Sequence, residues 1–139
     1  MPNNAPKVKI NGVLEHGAEV FFCEPNLKAR ISTANSILEK TGAHFIHPFD
    51  NRDVIAGQGT AARELILECG KLDAVLSPIG GGGLMSGTSI ATRNMLPESR
   101  IFGTEPAGAD DAARSLLARK FIPQENPNTI CDGLLTSMG

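Results

Sequence analysis

Four consecutive glycines, Gly80, Gly81, Gly82 and Gly83, interrupt the stretch "LSPIGGGGLMSG" at residues 76–87. Glycine loses more freedom on ordering than any other residue, so a run of four needs a structural reason. The run follows a short apolar segment, "LDAVLSPI" (72–79), and precedes one with helical spacing, "LMSGTSIATRNML" (84–96). A strand that feeds a helix through glycines leaves bare N–H groups at the helix start, where the dipole favours an anion. In open α/β folds this position, beyond the carboxyl end of a parallel strand, is where ligands bind. The stretch therefore points to an α/β unit holding a phosphate. The purely structural alternative is a tight turn with positive φ, which four glycines exceed.

The flanking sequence alternates in the same way. Helices are expected over "APKVKINGVLEHG" (5–17), "NLKARISTANSILEKTG" (26–42), the later part of "VIAGQGTAARELILECG" (54–70) and "DDAARSLLARK" (110–120). Strands are expected over "AEVFFC" (18–23), "AHFIHPF" (43–49), "LDAVLSPI" and "SRIFGTE" (99–105). The "GQG" of the third helical stretch reads as a hinge or a close packing point rather than a helix interior. Thr60 is one candidate for the cap of that helix, and Gln58 and Thr60 could instead support a hinge. Repeated βα units imply a parallel sheet with helices packed on it. The chain opens on a helix and ends inside a segment, so it reads as part of something larger.

Composition narrows the partners. The net charge is −2 and both Trp and Tyr are absent, which gives neither the basic patch nor the stacking surface of a nucleic-acid binder. No apolar run is long enough for a membrane span and no signal peptide is visible, so a cytoplasmic location is the default expectation. Cys23, Cys69 and Cys131 have no zinc or redox spacing and read as free thiols.

The phosphate ligand can be narrowed too. A Walker loop requires Lys and then Ser or Thr after its last glycine, and Leu84 and Met85 stand there. Gly81, Gly83 and Gly87 form GxGxxxG, one residue longer than the dinucleotide fingerprint. Glu105 lies about 20 residues on, where a ribose-binding acid would stand. A low-weight alternative is therefore a dinucleotide-binding βαβ protein.

"SPIGGGGLMSG" also resembles the phosphate loop of the fold-type II pyridoxal-phosphate enzymes, most closely the serine/threonine dehydratases (ammonia-lyases) and serine racemase. "MPNNAPKVK", "GAEVFFC", "HPFDNRDVIAGQGT", "GTEPAGADDA" and "TICDG" resemble the same family in the same order. The resemblance covers nearly the whole chain and matches only an internal portion of the family. It implies a three-layer α/β architecture, incomplete relative to the family's two-domain fold. Residues 1–53 would be part of the small substrate domain and residues 54–139 part of the large pyridoxal-phosphate domain. Gly80, Gly81, Gly82, Gly83 and the backbone of Leu84 would wrap the cofactor phosphate, and Gly133 would lie against the pyridine ring.

The resemblance further implies a divalent cation, magnesium or calcium, on the Glu105 carboxylate, the Ala109 carbonyl and the Asp111 carboxylate. These hard oxygen ligands suit such ions. Helix capping competes with that role: Asp110 and Asp111 begin a helix, and Glu105 is the acid that capping is not expected to explain.

The family's chemistry needs a lysine in a Ser-x-Lys motif, which forms a Schiff base with the cofactor and moves the α-proton. No such motif occurs here. Lys7, Lys9, Lys28, Lys40, Lys71 and Lys120 read as surface residues. The expectation is thus a truncated dehydratase- or racemase-like protein, without catalytic residues of its own and inactive alone. Its ligands would be pyridoxal phosphate or an amino acid. The alternative from another class is a non-catalytic ligand- or partner-binding module that self-associates or pairs to cover missing sheet neighbours. His44 and His47, three apart in an extended run, face opposite sides and make a poor metal pair. His47 is expected in the "HPFD" turn, with Asp50 capping.

Overall fold

The computed structural model describes all 139 residues, which divide into two compact units, Met1–Ile46 and His47–Gly139. No helix is long and apolar enough to cross a membrane.

The first unit holds α1 (Lys7–Glu15) and α2 (Leu27–Thr41). Helix α2 starts where Asn26 Oδ1 accepts the Ala29 N–H at 2.8 Å, and it ends at Gly42, whose φ of 66° suits glycine. His16 closes α1. Its Nδ1 lies 2.7 Å from the Gly12 carbonyl, which can only accept, so Nδ1 carries the proton. The two strands expected here do not form. Cys23 makes one parallel bridge with Pro2, and no strand forms over 43–49. The bridge is made by the Cys23 N–H to the Met1 carbonyl and the Asn3 N–H to the Cys23 carbonyl, both at 2.9 Å, and no second bridge extends it. No residue of this unit is fully buried.

The second unit holds α3 (Arg52–Cys69), β1 (Ala74–Pro78), α4 (Gly83–Met95), β2 (Arg100–Thr104) and α5 (Asp111–Ala118), followed by a single 3-10 turn at Asp132–Leu134. Strands β1 and β2 are parallel, in register from Ala74 opposite Arg100 to Pro78 opposite Thr104, with α4 as the crossover. This is the α/β arrangement expected, a parallel sheet with flanking helices. Val75 and Ser77 are buried on one face, while Leu76 points to the other and is 65% exposed. The core is small: Ala62, Ile66, Val75, Ala109 and Ala112, with buried Thr88, Thr92 and Asp111.

Helix α3 begins earlier than expected and runs through "GQG" without a hinge. Its cap is Asn51, neither Asp50 nor Thr60: Asn51 Oδ1 accepts from the N–H groups of Asp53 at 2.8 Å and Val54 at 3.1 Å. Thr60 lies mid-helix and donates to the Gly57 carbonyl at 2.7 Å. Replacing Asn51 with Ala is expected to lower stability by about 1 kcal/mol, read from the urea midpoint at unchanged m.

The glycines of "GQG" have different jobs. Gly57 faces open space. Gly59 is buried against α4, where a Cβ would stand 2.9 Å from the Gly87 carbonyl oxygen. On α4, a Cβ at Gly87 would lie 2.4 Å from both the Gly59 nitrogen and the Ile55 oxygen. Two glycines thus let two helix backbones touch. The lost contact with a larger neighbour is replaced by close backbone packing.

Candidate functional site

At the end of β1 the Ile79 N–H donates to the Thr104 carbonyl at 2.9 Å, which keeps the chain on the sheet until it reaches the glycines. The bend follows at once. Gly82 has φ of 93°, a left-handed conformation that favours glycine, and α4 begins at Gly83. No side chain caps α4. Helix α2 is capped by Asn26, α3 by Asn51 and α5 by Glu105; α1, which follows Pro6, and α4 have no side-chain cap, and of these two only α4 starts at the glycine run.

The other three glycines are used for close approach. The Phe49 ring packs against Gly81, where a Cβ would come within 2.1 Å of Cδ1. Gly83 has Phe49 Cα 3.0 Å from the same construction point. At Gly80 a Cβ would lie 3.3 Å from the Gly133 carbonyl oxygen. A cavity of about 290 Å³ lies here, bordered by Phe49, Ile79, Gly81, Gly82, Ser86 and Met138 among others. Larger clefts of about 790 and 540 Å³ run along α2 and between α3 and α4, but neither lies at the uncapped helix start.

The structure therefore brings Gly80, Gly81, Gly82, Gly83, Leu84 and Gly133 into one neighbourhood, although Gly133 is far off in sequence. Sequence reasoning missed Phe49 as the residue seated on the loop. It stands in the "HPFD" turn, where His47 Nδ1 accepts the Asp50 N–H at 2.9 Å and the His47 ring meets Phe49 edge-on at 4.6 Å. The spacing of "HPFD" shows a turn, but nothing local shows which glycine its Phe covers.

The acidic loop rearranges the expected roles. Glu105 Oε1 accepts the Ala112 N–H at 3.0 Å and Oε2 the Ala113 N–H at 2.8 Å, so Glu105 caps α5 from the preceding strand end. Capping was expected to explain the two Asp residues and not Glu105; the structure reverses this. The Asp110 side chain makes no cap hydrogen bond and pairs with Arg114 Nε at 2.8 Å. Asp111, 2% exposed, accepts the Met138 N–H at 2.8 Å. Proline 106 starts a turn that the Ala109 N–H closes by donating to the Pro106 carbonyl at 2.8 Å, and Ala109 is itself buried. Each Glu105 oxygen accepts one α5 amide and keeps a further lone pair. No group of three or more His, Cys, Asp or Glu side chains is arranged to hold a metal ion. All six lysines are exposed, and none borders the glycine-loop cavity.

A parallel βαβ unit with a glycine-rich, uncapped helix start is an arrangement that α/β proteins use at anion sites. Residues 1–138 match the model of a known family, described as pyridoxal-phosphate dependent enzyme, and the chain belongs to that family. It is 48% identical to serine racemase of Dictyostelium discoideum over 100% of this chain and 44% of that protein. It is 43% identical to beta-hydroxyaspartate dehydratase of Paracoccus denitrificans, over 99% of this chain and 44% of the relative. Among solved structures, maize serine racemase matches with a TM-score of 0.96 and 38% identity, over 99% of this chain and 42% of that one. The chain thus spans less than half the length of these relatives.

Proposed function

We propose that this chain is the phosphate-holding portion of a pyridoxal-phosphate-dependent protein of the serine/threonine dehydratase or serine racemase kind, inactive by itself. The observation that carries it is the uncapped start of α4 beneath four glycines, in a chain of this family. The loop fits the group. Side chains are absent at 80–83, a positive φ occurs at Gly82, and the first-turn amides lack a side-chain acceptor. Gly80, Gly81, Gly82, Gly83 and the Leu84 amide would hold the phosphate, and Gly133, beside Gly80, would lie near the ring. When bound, pyridoxal phosphate supplies an electron sink for the α-carbon of an amino acid.

This chain's own contribution is to bind and orient. The helix start neutralises phosphate charge, and Phe49 and Met138 screen the loop from water. With its lysines on the surface, no amine among these residues is placed to hold the cofactor covalently or to move a proton. In the same proposal, residues 1–53 belong to a small substrate domain and 54–139 to a large cofactor domain in the cytoplasm. Glu105, the Ala109 carbonyl and Asp111 form an all-oxygen set suited to magnesium or calcium. The bare sheet face at Leu76 and Phe102 favours self-association or pairing with a chain that covers it.

The test is an absorbance titration with pyridoxal phosphate, before and after borohydride reduction, followed by intact mass. Saturable binding with no mass gain is expected. Gly82→Val, strained at φ of 93°, is expected to weaken binding about tenfold or more. A single-lysine adduct, or pyruvate or 2-oxobutyrate formed from serine or threonine, would overturn the inactivity.

A further inference from the structure

A run of glycines has no side chains with which to hold its own peptide planes, so the orientation of the loop has to be set from outside. Phe49 covers one part of it. Residues 133–139 cover another: Gly133 oxygen, Leu134 Cδ2 and Thr136 Cγ2 lie 3.3 to 3.5 Å from the point a Cβ on Gly80 would occupy, and Met138 Cγ lies 3.8 Å from that of Gly82. The Gly139 N–H donates to the Gly81 carbonyl at 3.2 Å. A trans peptide carries its carbonyl and the following N–H on opposite sides. Holding the Gly81 carbonyl toward Gly139 therefore aims the Gly82 N–H the other way and fixes one donor of the loop.

The segment that does this is itself held by one buried carboxylate. Asp111 Oδ2 accepts the Met138 N–H at 2.8 Å and the Ser137 hydroxyl at 3.4 Å. Ser137 Oγ in turn accepts the Gln124 N–H at 3.2 Å. Asp111 is 2% exposed and lies in the first turn of α5, where the helix dipole favours its charge. A charge that far from water is costly unless donors satisfy it, so the donors from 137 and 138 are held firmly. We infer that Asp111 is a positioning residue for the glycine loop, acting through residues 137–139 to set the peptide plane between Gly81 and Gly82. This rests on the reading of that loop as the phosphate cradle, and it gives Asp111 a role that needs no cation.

The experiment compares the full chain with Asp111→Ala, Asp111→Asn and Ser137→Ala by amide hydrogen exchange and by pyridoxal-phosphate titration. Loss of a charged acceptor corresponds to about a tenfold effect. Asp111→Ala is expected to speed exchange at Gly139, whose N–H holds the Gly81 carbonyl, about tenfold, to leave Ile66 and Val75 protected, and to raise the Kd for pyridoxal phosphate about tenfold. Asp111→Asn, which keeps an acceptor oxygen, should recover most of both effects. Unchanged exchange at Gly139 together with unchanged Kd in Asp111→Ala would overturn the inference. If Asp111→Ala also loses protection at Ile66, Ser137→Ala decides: faster Gly139 exchange supports the positioning role, and parental exchange overturns it. If the parent chain binds no pyridoxal phosphate, the cradle itself fails, while the exchange comparison still decides what Asp111 does.

Discussion

Gly87→Ala is expected to be among the most destabilising single-methyl changes in this chain. The added Cβ would stand 2.4 Å from the Gly59 nitrogen and from the Ile55 oxygen, and both are backbone atoms of α3 that cannot rotate away. Relief requires moving one helix off the other. Overpacking of this kind costs about 3 kcal/mol at its upper range. For a small domain that corresponds to a fall in Tm of about 15 °C. Gly57→Ala is the matched control, because Gly57 lies in the same helix and faces open space. It is expected to raise stability by about 0.5–1 kcal/mol through helix propensity. Thermal melts followed by circular dichroism would show the two variants on opposite sides of the parent. A Gly87→Ala protein that melts within about 2 °C of the parent would mean that α3 and α4 do not touch at these glycines.

Glu105→Ala is expected to cost about 2 kcal/mol, because two charge-assisted hydrogen bonds to the α5 amides are lost together. Asp110→Ala removes only a surface pair with Arg114 and should cost no more than about 0.5 kcal/mol. If sequence position alone decided capping, the order would be reversed. The same pair of melts, repeated with magnesium or calcium, separates the cap from the proposed cation site. A cation held by Glu105 stabilises the parent by mass action, by about 2.7 kcal/mol at a hundred times its Kd. That gain would vanish in Glu105→Gln. A parent Tm indifferent to both ions would leave Glu105 as a cap alone.

Much of the chain was legible because its signals are local. Apolar spacing, Gly42 after its helix and the strand–glycine–helix order of 72–96 each depend on neighbours in sequence, and each appears in the structure. The glycine loop between β1 and α4 was legible for the same reason. The errors fall where a residue's partner is distant. "AEVFFC" and "AHFIHPF" have the apolar content of strands, but a strand exists only through its neighbour, and Cys23 finds only Pro2. The "GQG" of α3 reads as a hinge or a close packing point rather than a helix interior; it lies inside the helix without a hinge, and Gly59 is the packing point. Its backbone contact with Gly87 belongs to another helix and cannot be read from α3 alone.

The acidic loop gives the same lesson at finer scale. An Asp at a helix start is a familiar cap, so Asp110 and Asp111 attracted that role. The actual cap reaches in from Glu105, seven and eight residues before the amides it accepts.

What the sequence by itself determined is the βαβ module, its glycine loop and its family, because these rest on short patterns and on residues whose backbone needs are distinctive. What only the tertiary structure decided is how the four glycines are shared out. Gly82 takes the positive φ, Gly81 receives the Phe49 ring, and Gly80 meets the Gly133 carbonyl. It also decided that Asp111 reaches across 27 residues to Met138. Glycine carries no side chain to announce its neighbour, and a buried carboxylate is defined by its donors. Both are settled only when distant segments pack together.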